Sequence, residues 1–336
     1  MSKINECKIL ITGGAGFIGY HLAFRLSQEP KNQLVLADNF TRGELDQELE
    51  RLIERDNVQL ISVDLTDGAA YEKLGSNYDE VYHLAAVIGV QNVMERPHQV
   101  LRVNAIGTWM LLEWFVLGGG KKLLFSSTSE AYAWTQQFHT LPIPTPEDVP
   151  LALTDLRNPR SSYAGSKVFS ELAITQCCSV YKKPFAIVRY HNVYGPRMGY
   201  QHVIPQLYER SLKGQNPLIV YSADHQRAFC YVEDAVTATI LAMRHQSTDG
   251  QTFNIGNEQE EVTIQELAQR ILAQASIQVD LQPQVAAHDP IKRRCPDLSR
   301  ARDLLGYQPQ ISLDRGLELT LAWYGDRLAA RLGNKE

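Results

Sequence analysis

A glycine-rich stretch near the start of the chain, TGGAGFIG at residues 12–19, constrains the fold more than any other feature. It follows a short apolar run and precedes an amphipathic segment, so it joins a predicted strand to a predicted helix. Its glycines satisfy both the GxGxxG and the GxxGxxG spacing, which lets the backbone approach a pyrophosphate at the helix N-terminus. A turn that needs glycine only for tight packing is the alternative. The loop is predicted to bind a dinucleotide through Gly13, Gly16, Phe17, Ile18 and Gly19.

A carboxylate at the end of the second predicted strand supports this interpretation. Asp38 lies about 20 residues after the glycine loop, where an acidic side chain accepts hydrogen bonds from an adenosine ribose. Asp38 and the adjacent Asn39 are therefore predicted to contact the cofactor. The Asp38 carboxylate would repel a 2′-phosphate, although Arg42 is close enough in sequence to compensate in part. NAD is favoured over NADP.

Short β-branched or leucine-rich runs alternate with helix-length segments through the first half of the chain, at residues 8–12, 33–38, 58–62, 80–84, 122–126 and 185–189. Continuous apolar strands with a helix in each crossover are typical of a parallel sheet covered on both faces. The sequence therefore predicts an α/β fold with a Rossmann-type doubly wound parallel sheet at residues 1–190. Residues 191–336 are predicted to form mainly a smaller α/β substrate-binding domain, with segments near 217–256 returning to the first domain.

Composition argues against several classes of protein. Of the 336 residues 44% are hydrophobic and 21% are charged, and the formal net charge is −5, so nucleic acid is not an expected partner. No run approaches the ~18 apolar residues of a membrane span, and residues 1–8 are polar where a signal peptide turns apolar, so a cytoplasmic location is expected. The five cysteines form no CxxC pair and have no histidine at metal-ligand spacing, so no metal site is predicted.

Tyr163 and Lys167 lie four residues apart in SSYAGSK, so on a helix they share one face. A free tyrosine, with a pKa near ~10, is a poor base at neutral pH, but a neighbouring ammonium and the positive nicotinamide of NAD⁺ both favour the phenolate. A tyrosine and a lysine at this spacing are more often a solvated helix face. Downstream of a dinucleotide site, Tyr163 is instead predicted to be a catalytic base and Lys167 the residue that lowers its pKa.

The motifs together resemble the extended short-chain dehydrogenase/reductase superfamily, in its nucleotide-sugar epimerase/dehydratase branch. The resemblance covers nearly the whole chain and rests on TGGAGFIG, Asp38, HLAA at 83–86, Asn104, STSEAY at 127–132 and YAGSK at 163–167. It implies that Asp64 and Leu65 flank the adenine and that Leu84, Ala85 and Ala86 run along the cofactor. It also implies that Asn104 supports this segment from behind.

The resemblance also implies residues that face a nucleotide-sugar substrate. Thr128 matches the hydroxyl that hydrogen-bonds the sugar C4 oxygen beside the catalytic tyrosine. RYHNVYGPR at 189–197 resembles the R-x-x-N-x-x-G-P stretch of the family, whose asparagine, here Asn192, reaches the nucleotide diphosphate. Arg227 matches an arginine on the same diphosphate, for which a planar guanidinium is suited. Arg197, Arg293 and Arg294 complete the predicted substrate side. A surface salt bridge is the alternative for Arg227 and for the pair Arg293 and Arg294.

The first step implied by the resemblance is oxidation at C4 of the sugar, with Tyr163 accepting the hydroxyl proton and NAD⁺ the hydride. Three outcomes then remain open: return of hydride to the opposite face, elimination across C5 and C6, or loss of CO₂ from a uronic acid. Ser129 and Glu130 follow the catalytic hydroxyl, where simple 4-epimerases have small or neutral residues. A carboxylate at this position suits proton transfer at C5 or C6.

The Thr-Ser-Glu order resembles UDP-glucuronate decarboxylases and GDP-mannose 4,6-dehydratases. Glu130 is therefore predicted to be the C5/C6 acid-base group, with Ser129 beside it, and a glutamate that merely caps a loop is the alternative. The main interpretation is an NAD-dependent enzyme of a nucleotide-linked hexose, with a UDP-sugar favoured, that continues to dehydration or decarboxylation. A plain 4-epimerase and a catalytically silent NAD-binding protein are the alternatives.

The two helices predicted at about 99–117 and 161–181 each carry an apolar face broader than one sheet contact needs. The family resemblance implies that these helices pair across a two-fold axis as a four-helix bundle. A homodimer is therefore expected.

Overall fold

The computed structural model describes residues 6–137, 140–285 and 291–333, and all six strands predicted for the first half are present. The strands are β1 Cys7–Thr12, β2 Asn32–Asp38, β3 Val58–Ser62, β4 Tyr78–His83, β5 Gly120–Thr128, β6 Phe185–Tyr190, β7 Val193–Tyr194, β8 Leu218–Tyr221, β9 Gln226–Ala228, β10 Cys230–Tyr231, β11 Gln251–Ile255, β12 Glu261–Thr263, β13 Leu281–Gln284 and β14 Arg293–Arg294.

Helices fill the crossovers between the strands. They are α1 Phe17–Leu26, α2 Gln47–Ile53, α3 Ala69–Leu74, α4 Val90–Glu95, α5 Pro97–Trp114, α6 Glu130–Ala133, α7 Arg160–Tyr181, α8 Val203–Leu212, α9 Val232–Arg244, α10 Ile264–Gln274, α11 Ser299–Leu305 and α12 Leu313–Gly333. Side-chain caps begin several of them: Asp46 accepts a hydrogen bond from the Leu49 amide at the start of α2, Thr263 accepts one from the Glu266 amide at the start of α10, and Ser312 accepts one from the Arg315 amide at the start of α12.

The central sheet contains seven strands in the order β11-β6-β5-β4-β1-β2-β3, and every neighbouring pair is parallel. Parallel neighbours cannot be joined by a hairpin, so each connection crosses the sheet through a helix. The strands are apolar on both faces because helices cover both. The predicted doubly wound α/β fold is confirmed.

Side chains alternate between two apolar layers on either side of this sheet. Ile9 and Ile11 of β1 pack into the layer that α1 and α9 share, whereas Leu10 packs into the layer formed with α5 and α7. This alternation is the period of two that a strand imposes. The core therefore consists of two apolar layers, one on each face of the sheet. The loops at the strand ends lie outside these layers and are available to form a site.

The strand order reverses between β1 and β4. From this point β2 and β3 extend the sheet in one direction, and β5 and β6 extend it in the other. Loops that leave the carboxyl ends of β1 and β4 turn to opposite faces and open a crevice between them. The glycine loop follows β1 and the Leu84 segment follows β4, so the fold places both predicted cofactor segments at this crevice.

The second half of the chain contributes to the central sheet and to three small sheets. β11 lies at the edge of the central sheet, parallel to β6, whereas β8 pairs with β13 away from it. The remaining short strands form the pair β7 and β10 and the three-stranded sheet β12-β9-β14. Of the segments near 217–256, the structure thus places only Gln251–Ile255 in the central sheet.

Helix α5 has an unusual surface for a helix of the sheet layer. By length and composition, the segment Pro97–Gly119 is apolar enough to cross a membrane. In the structure α5 packs against α7 and contributes Leu111 and Leu112 to the core. Large apolar side chains on the outer faces of α5 and α7 stay exposed: Leu101, Ile106, Trp109, Phe169, Leu172, Val180 and Tyr181.

Candidate active site

A cleft of about 910 Å³ lies at the carboxyl ends of β1 and β4. Its walls come from both halves of the chain. The first half contributes the glycine loop, the segment after Asp38 and the end of β5, and the second half contributes residues 190–202 together with Arg294 and the inner face of α12. A concave site of this size at the point of strand reversal is suited to a dinucleotide with a second ligand.

The glycine loop forms one end of the cleft, and two of its glycines are required by geometry. Gly13 has a φ of 74°, and a Cβ at this position would lie 2.8 Å from the backbone nitrogen of Ala85. A Cβ on Gly19 would lie only 2.1 Å from the carbonyl oxygen of Gly13. Helix α1 therefore starts directly on the turn, with its N-terminus at the cleft, as a pyrophosphate site needs.

Asp38 holds the glycine loop and the segment after β2 together. One carboxylate oxygen accepts a hydrogen bond from the Ala15 amide at 3.0 Å, and the other accepts one from the Phe40 amide at 2.9 Å. Burial raises the pKa of Asp38, and these amide donors act in the opposite direction. Asn39 lies beside it and accepts a hydrogen bond from the Thr41 amide at 3.1 Å. Both residues line the cleft.

The segment after β4 is fixed from behind by two polar side chains. Asn104 accepts a hydrogen bond from the Val87 amide at 2.7 Å and donates to the Val87 carbonyl at 3.1 Å. The His83 ring lies between the hydroxyls of Thr12, at 2.8 Å, and Thr108, at 3.1 Å. Burial lowers the pKa of His83 to about 3, so the ring is neutral. Leu84, Ala85 and Ala86 line the cleft in the position predicted for a segment along the cofactor.

The residues predicted to flank an adenine lie at the opposite rim. Asp64 and Leu65 both line the cleft. The Asp64 carboxylate accepts hydrogen bonds from the amide and the hydroxyl of Thr66, each at 2.9 Å, which fixes the turn after β3.

The hydroxyl-rich end of β5 forms hydrogen bonds with residues of several other elements. The Ser126 carbonyl accepts a hydrogen bond from the Lys167 ammonium at 2.7 Å, and the Ser127 hydroxyl donates to the buried carboxylate of Glu171. The Thr128 hydroxyl accepts from the Glu130 amide at 3.2 Å and also hydrogen-bonds Tyr163. Sequence reasoning identified the cluster but not Glu171, whose partner is the buried guanidinium of Arg189 at 2.6 Å.

Tyr163 lies in the cleft beside Thr128, at the start of α7. Burial raises the pKa of Tyr163 to about 12, the Thr128 hydrogen bond and Arg42 lower it, and Glu130 raises it. The charges that act on this phenol in the structure are thus Glu130 and Arg42. The sequence predicted a role for Arg42 only beside a 2′-phosphate. Its approach to Tyr163 could not be predicted, because it depends on the path that residues 39–46 take in the fold.

Lys167 lines the cleft and is almost fully buried. Its ammonium lies 4.6 Å from the centroid of the Phe125 ring and donates to the Ser126 carbonyl. Burial lowers the pKa of Lys167 to about 7, with Glu171 acting in the opposite direction. Its predicted effect on Tyr163 remains a prediction, because the ammonium contacts β5 in this structure.

Glu130 and Arg294 form an ion pair at the substrate end of the cleft. Glu130 starts the short helix α6, and Arg294 comes from β14 in the second half. Burial alone would raise the pKa of Glu130, but Arg294, with smaller contributions from Arg160 and Arg227, lowers it. The Glu130 side chain is therefore a carboxylate at neutral pH. Ser129 is buried beside it.

The predicted substrate residues divide into two groups. Asn192, Arg197 and Arg294 line the cleft, and Asn192 donates a hydrogen bond to the Ala228 carbonyl at 3.0 Å. Arg227 and Arg293 are not among the residues that line the cleft in the described part of the chain. Arg227 donates hydrogen bonds to the carbonyls of Ile291 and Lys292, and Arg293 forms an ion pair with Glu261 at 2.8 Å. Arg293 and Arg294 point in opposite directions because neighbours in a strand alternate.

These residues fit a bound dinucleotide. The glycine turn leaves the N-terminus of α1 open to a pyrophosphate, the Asp38 carboxylate lies at the end of β2 where a ribose hydroxyl donates, and Tyr163 faces the same cleft. Among the described residues, no group of three or more His, Cys, Asp or Glu side chains is arranged to hold a metal ion.

Comparison with known proteins gives a consistent result. A model of the NAD-dependent epimerase/dehydratase family matches residues 9–256. The chain is 35% identical over 328 residues to a UDP-N-acetyl-α-D-glucosaminuronate decarboxylase of Bacillus cytotoxicus, covering 94% of this chain and 97% of the relative. It is 32% identical over 340 residues to the UDP-glucuronic acid decarboxylase 1 of Danio rerio, covering 100% of this chain and 77% of the relative.

A solved structure shares the whole architecture. The UDP-glucuronic acid 4-epimerase of Bacillus cereus, in complex with UDP-glucuronic acid and NAD, superposes with a TM-score of 0.82 at 25% identity. The match covers 95% of this chain and 99% of the epimerase.

We expect Gly13→Ala to weaken cofactor binding by at least about tenfold, because the new Cβ meets the Ala85 backbone and displaces the segment along the cofactor. The measurement is the NAD dissociation constant by calorimetry. Gly75→Ala is the matched control, since Gly75 has a φ of 72° and no heavy atom within 4 Å of its Cβ position. It should cost about 1–3 kcal/mol of stability and leave NAD binding unchanged. Equal NAD affinity in both variants would contradict the assignment of the loop.

We expect the stability advantage of wild type over Lys167→Met to grow as pH rises from about 7 to about 10. Lys167 has a pKa of about 7 in the folded protein and close to ~10.4 when unfolded, so within this window the unfolded chain binds more protons. The free energy of unfolding of wild type therefore increases with pH, and methionine removes this contribution. Urea unfolding of the cofactor-free proteins at several pH values measures the difference. If the difference in unfolding free energy between the two proteins does not change with pH, Lys167 is protonated in the folded protein at neutral pH, and the prediction is wrong.

Proposed function

The chain belongs to the NAD-dependent epimerase/dehydratase family, and from that membership we propose that it removes CO₂ from a UDP-linked hexuronic acid. It is an NAD-dependent enzyme of nucleotide sugars, as its relatives are. The observation that carries the more specific proposal is the Glu130–Arg294 ion pair beside Tyr163 and Thr128. The similarity to decarboxylases of two UDP-linked uronic acids supports it.

The reaction begins at C4 of the sugar. Tyr163, hydrogen-bonded to Thr128, accepts the C4 hydroxyl proton. NAD held by the glycine loop and Asp38 would supply the hydride acceptor for this oxidation and the hydride for the final reduction at C4, so the cycle would have no net redox change. The tyrosine needs help to act as a base, because burial raises its pKa to about 12. The positive charge of an oxidised nicotinamide bound in this cleft would favour the phenolate.

Oxidation at C4 makes the C6 carboxylate a β-keto acid. Cleavage of the C5–C6 bond then releases CO₂, and the electron pair passes into an enolate across C4 and C5. Arg294 is suited to receive the substrate carboxylate, because its guanidinium lies at this end of the cleft and stays protonated at all relevant pH values. The enzyme therefore recognises the group that the reaction removes.

Glu130 is suited to supply the proton that C5 requires. In the structure Arg294 keeps the pKa of Glu130 low. When a substrate carboxylate shares Arg294, Glu130 loses part of this stabilisation and gains a like-charged neighbour, so its pKa rises. Glu130 can then take up a proton with the substrate and give it to C5 after CO₂ has left. One proton enters and one CO₂ leaves, which balances the overall reaction.

The test is to incubate the purified enzyme with UDP-glucuronate and UDP-N-acetylglucosaminuronate, with UDP-glucose and UDP-N-acetylglucosamine as controls, and to measure product mass. We expect loss of CO₂ from one or both uronates.

We expect Tyr163→Phe to slow turnover by about 10²–10⁴-fold while NAD still binds. We expect Glu130→Gln to retain C4 oxidation, seen as a reduced-cofactor absorbance, and to lose the later step. In deuterium oxide the wild-type product should carry deuterium at C5.

An unchanged product mass with inversion at C4 would instead identify a 4-epimerase. Loss of water would identify a dehydratase. Wild-type decarboxylation by Glu130→Gln would remove Glu130 from the proposed proton transfer and leave the hydride-transfer steps intact.

We also propose that the protein is a homodimer through α5 and α7. These adjacent helices expose an apolar surface in which the rings of Trp109 and Phe169 lie 6.4 Å apart and Leu172 is 59% exposed. Contiguous exposed apolar patches of this kind mark association surfaces. The two helices from each of two copies would form a four-helix bundle.

We expect Leu172→Glu to shift the protein to a monomer, because each dimer would bury two carboxylates in an apolar contact. Sedimentation velocity at micromolar concentration measures the change. Leu212→Glu on α8 is the matched control, since Leu212 is also an exposed helical leucine, and it should leave the oligomeric state unchanged. A monomeric wild type, or a dimeric Leu172→Glu variant, would contradict the proposed interface.

A further inference from the structure

A segment without regular secondary structure runs along the cofactor end of the cleft. We define residues 39–46 as the strap; it connects β2 to α2. Six of its members line the cleft: Asn39, Thr41, Arg42, Gly43, Glu44 and Asp46. The strap lies directly on the glycine loop, because a Cβ on Gly43 would stand 2.6 Å from the Cβ of Ala15. It therefore borders the space where a dinucleotide sits between the glycine loop and Asp38.

The strap is held at both ends. At its start, the Asp38 carboxylate binds the amides of Ala15 and Phe40. At its end, the Asp46 carboxylate pairs with the guanidinium of Arg197, which is 5% exposed. The first anchor is part of the cofactor site itself, but Arg197 comes from the second half of the chain.

Arg197 is buried among groups that belong to the cofactor half. Its guanidinium pairs with Asp46 and, at 3.4 Å, with Glu48, and it lies 3.4 Å from the carbonyl oxygen of Ala15 in the glycine loop. The ring of Tyr20 in α1 lies 4.2 Å below it. Its Nε has no hydrogen-bond partner among the described residues. A buried cation in this setting depends on its carboxylates for stability.

The backbone around Arg197 is constrained to make these contacts. Arg197 has a φ of 68°, a value that non-glycine residues rarely adopt, and it follows Gly195 and Pro196. The Pro196 carbonyl is hydrogen-bonded by the His21 ring at 2.9 Å. Glu48 is fixed in turn by Trp323 at 2.8 Å and by Arg327 at 2.5 Å, both on α12. Arg197 thus joins the end of the strap to the second half of the chain.

We propose that Arg197 is a positioning residue that latches the strap over bound NAD and thereby slows cofactor release. If the pair with Asp46 opens, the strap loses the side-chain contact that ties its end directly to the second half of the chain, and its cleft-lining residues are freer to move away from the glycine loop. The latch does not touch the reacting atoms. Under the proposed function it has a purpose: the reduced cofactor must stay bound between oxidation of C4 and its later reduction.

The test measures cofactor release without any sugar. Enzyme stripped of cofactor is loaded with NADH and chased with excess NAD⁺, and the loss of bound NADH fluorescence gives the dissociation rate. We expect Arg197→Met and Asp46→Asn each to release NADH roughly 10-fold to 100-fold faster, the range that one charge-assisted hydrogen bond represents. Asparagine retains the helix cap at position 46, so α2 still begins normally. The double variant should release NADH no faster than the faster single variant.

Arg244→Met is the matched control. Arg244 also pairs with two carboxylates, Glu80 at 2.8 Å and Glu29 at 3.3 Å, but it lies on α9 and outside the described lining of the cleft. It should leave the NADH release rate within about twofold of wild type. Urea unfolding of each cofactor-free variant separates a loss of stability from a change in release.

Three results would overturn the proposal. Release at the wild-type rate in Asp46→Asn, with fast release in Arg197→Met, would mean that Arg197 contacts the cofactor directly. Unchanged release in both would mean that the strap needs no latch. Equal acceleration in Arg244→Met would mean that any lost ion pair loosens the cleft. Because no sugar is present, none of these results depends on which reaction the enzyme catalyses.

Discussion

Helix α1 begins so close to the turn after β1 that no side chain fits between them, and the rest of the site depends on this approach. With the Gly13 carbonyl only 2.1 Å from where a Gly19 Cβ would stand, the first turn of α1 lies at the mouth of the crevice. The same turn presents the Ala15 amide to Asp38 and the Ala15 carbonyl to Arg197. One backbone contact thus fixes the start of α1 at the cleft, the position of the Asp38 carboxylate and the point where Arg197 of the second half docks.

Burial determines the charge state of the resting site. It raises the pKa of Tyr163 to about 12, lowers that of Lys167 to about 7 and lowers that of His83 to about 3, so each group moves toward its neutral form. The exception is Glu130, whose ion pair with Arg294 outweighs the effect of burial. A site of this kind responds strongly to charged ligands. A fixed charge that enters a low-dielectric cleft shifts the pKa of each titratable group near it. Under the proposed function, a cationic nicotinamide would act on Tyr163 and an anionic sugar would act on Glu130.

Much of the fold could be predicted from the sequence, because its signals are local. The six strand runs, the glycine spacing and Asp38 are each readable within a short window, and the alternation with helices defines the parallel sheet. That Tyr163, Lys167 and Thr128 lie together in one cleft could be predicted because each stands in a motif. Side-chain partners that join distant segments could not be predicted. Arg197 binds Asp46 across 151 positions of sequence and Glu130 binds Arg294 across 164, and no spacing rule reports such pairs. The approach of Arg42 to Tyr163 is hidden for the same reason.

The edge strand β14 has a further consequence for how such a site can change over evolution. β14 pairs in parallel with β9, with Arg293 opposite Gln226 and Arg294 opposite Arg227, so only one of its two guanidiniums faces Glu130. If the register of β14 against β9 shifted by one residue, the side chains that face the cleft and those that face away from it would exchange places. The preceding residues read Lys292-Arg293-Arg294, so the slipped strand would still present a guanidinium inward and a cation outward. The tandem of basic residues therefore keeps the positive charge facing Glu130 when the strand slips so that Arg293 takes the inward position, whereas the opposite slip would place Cys295 there.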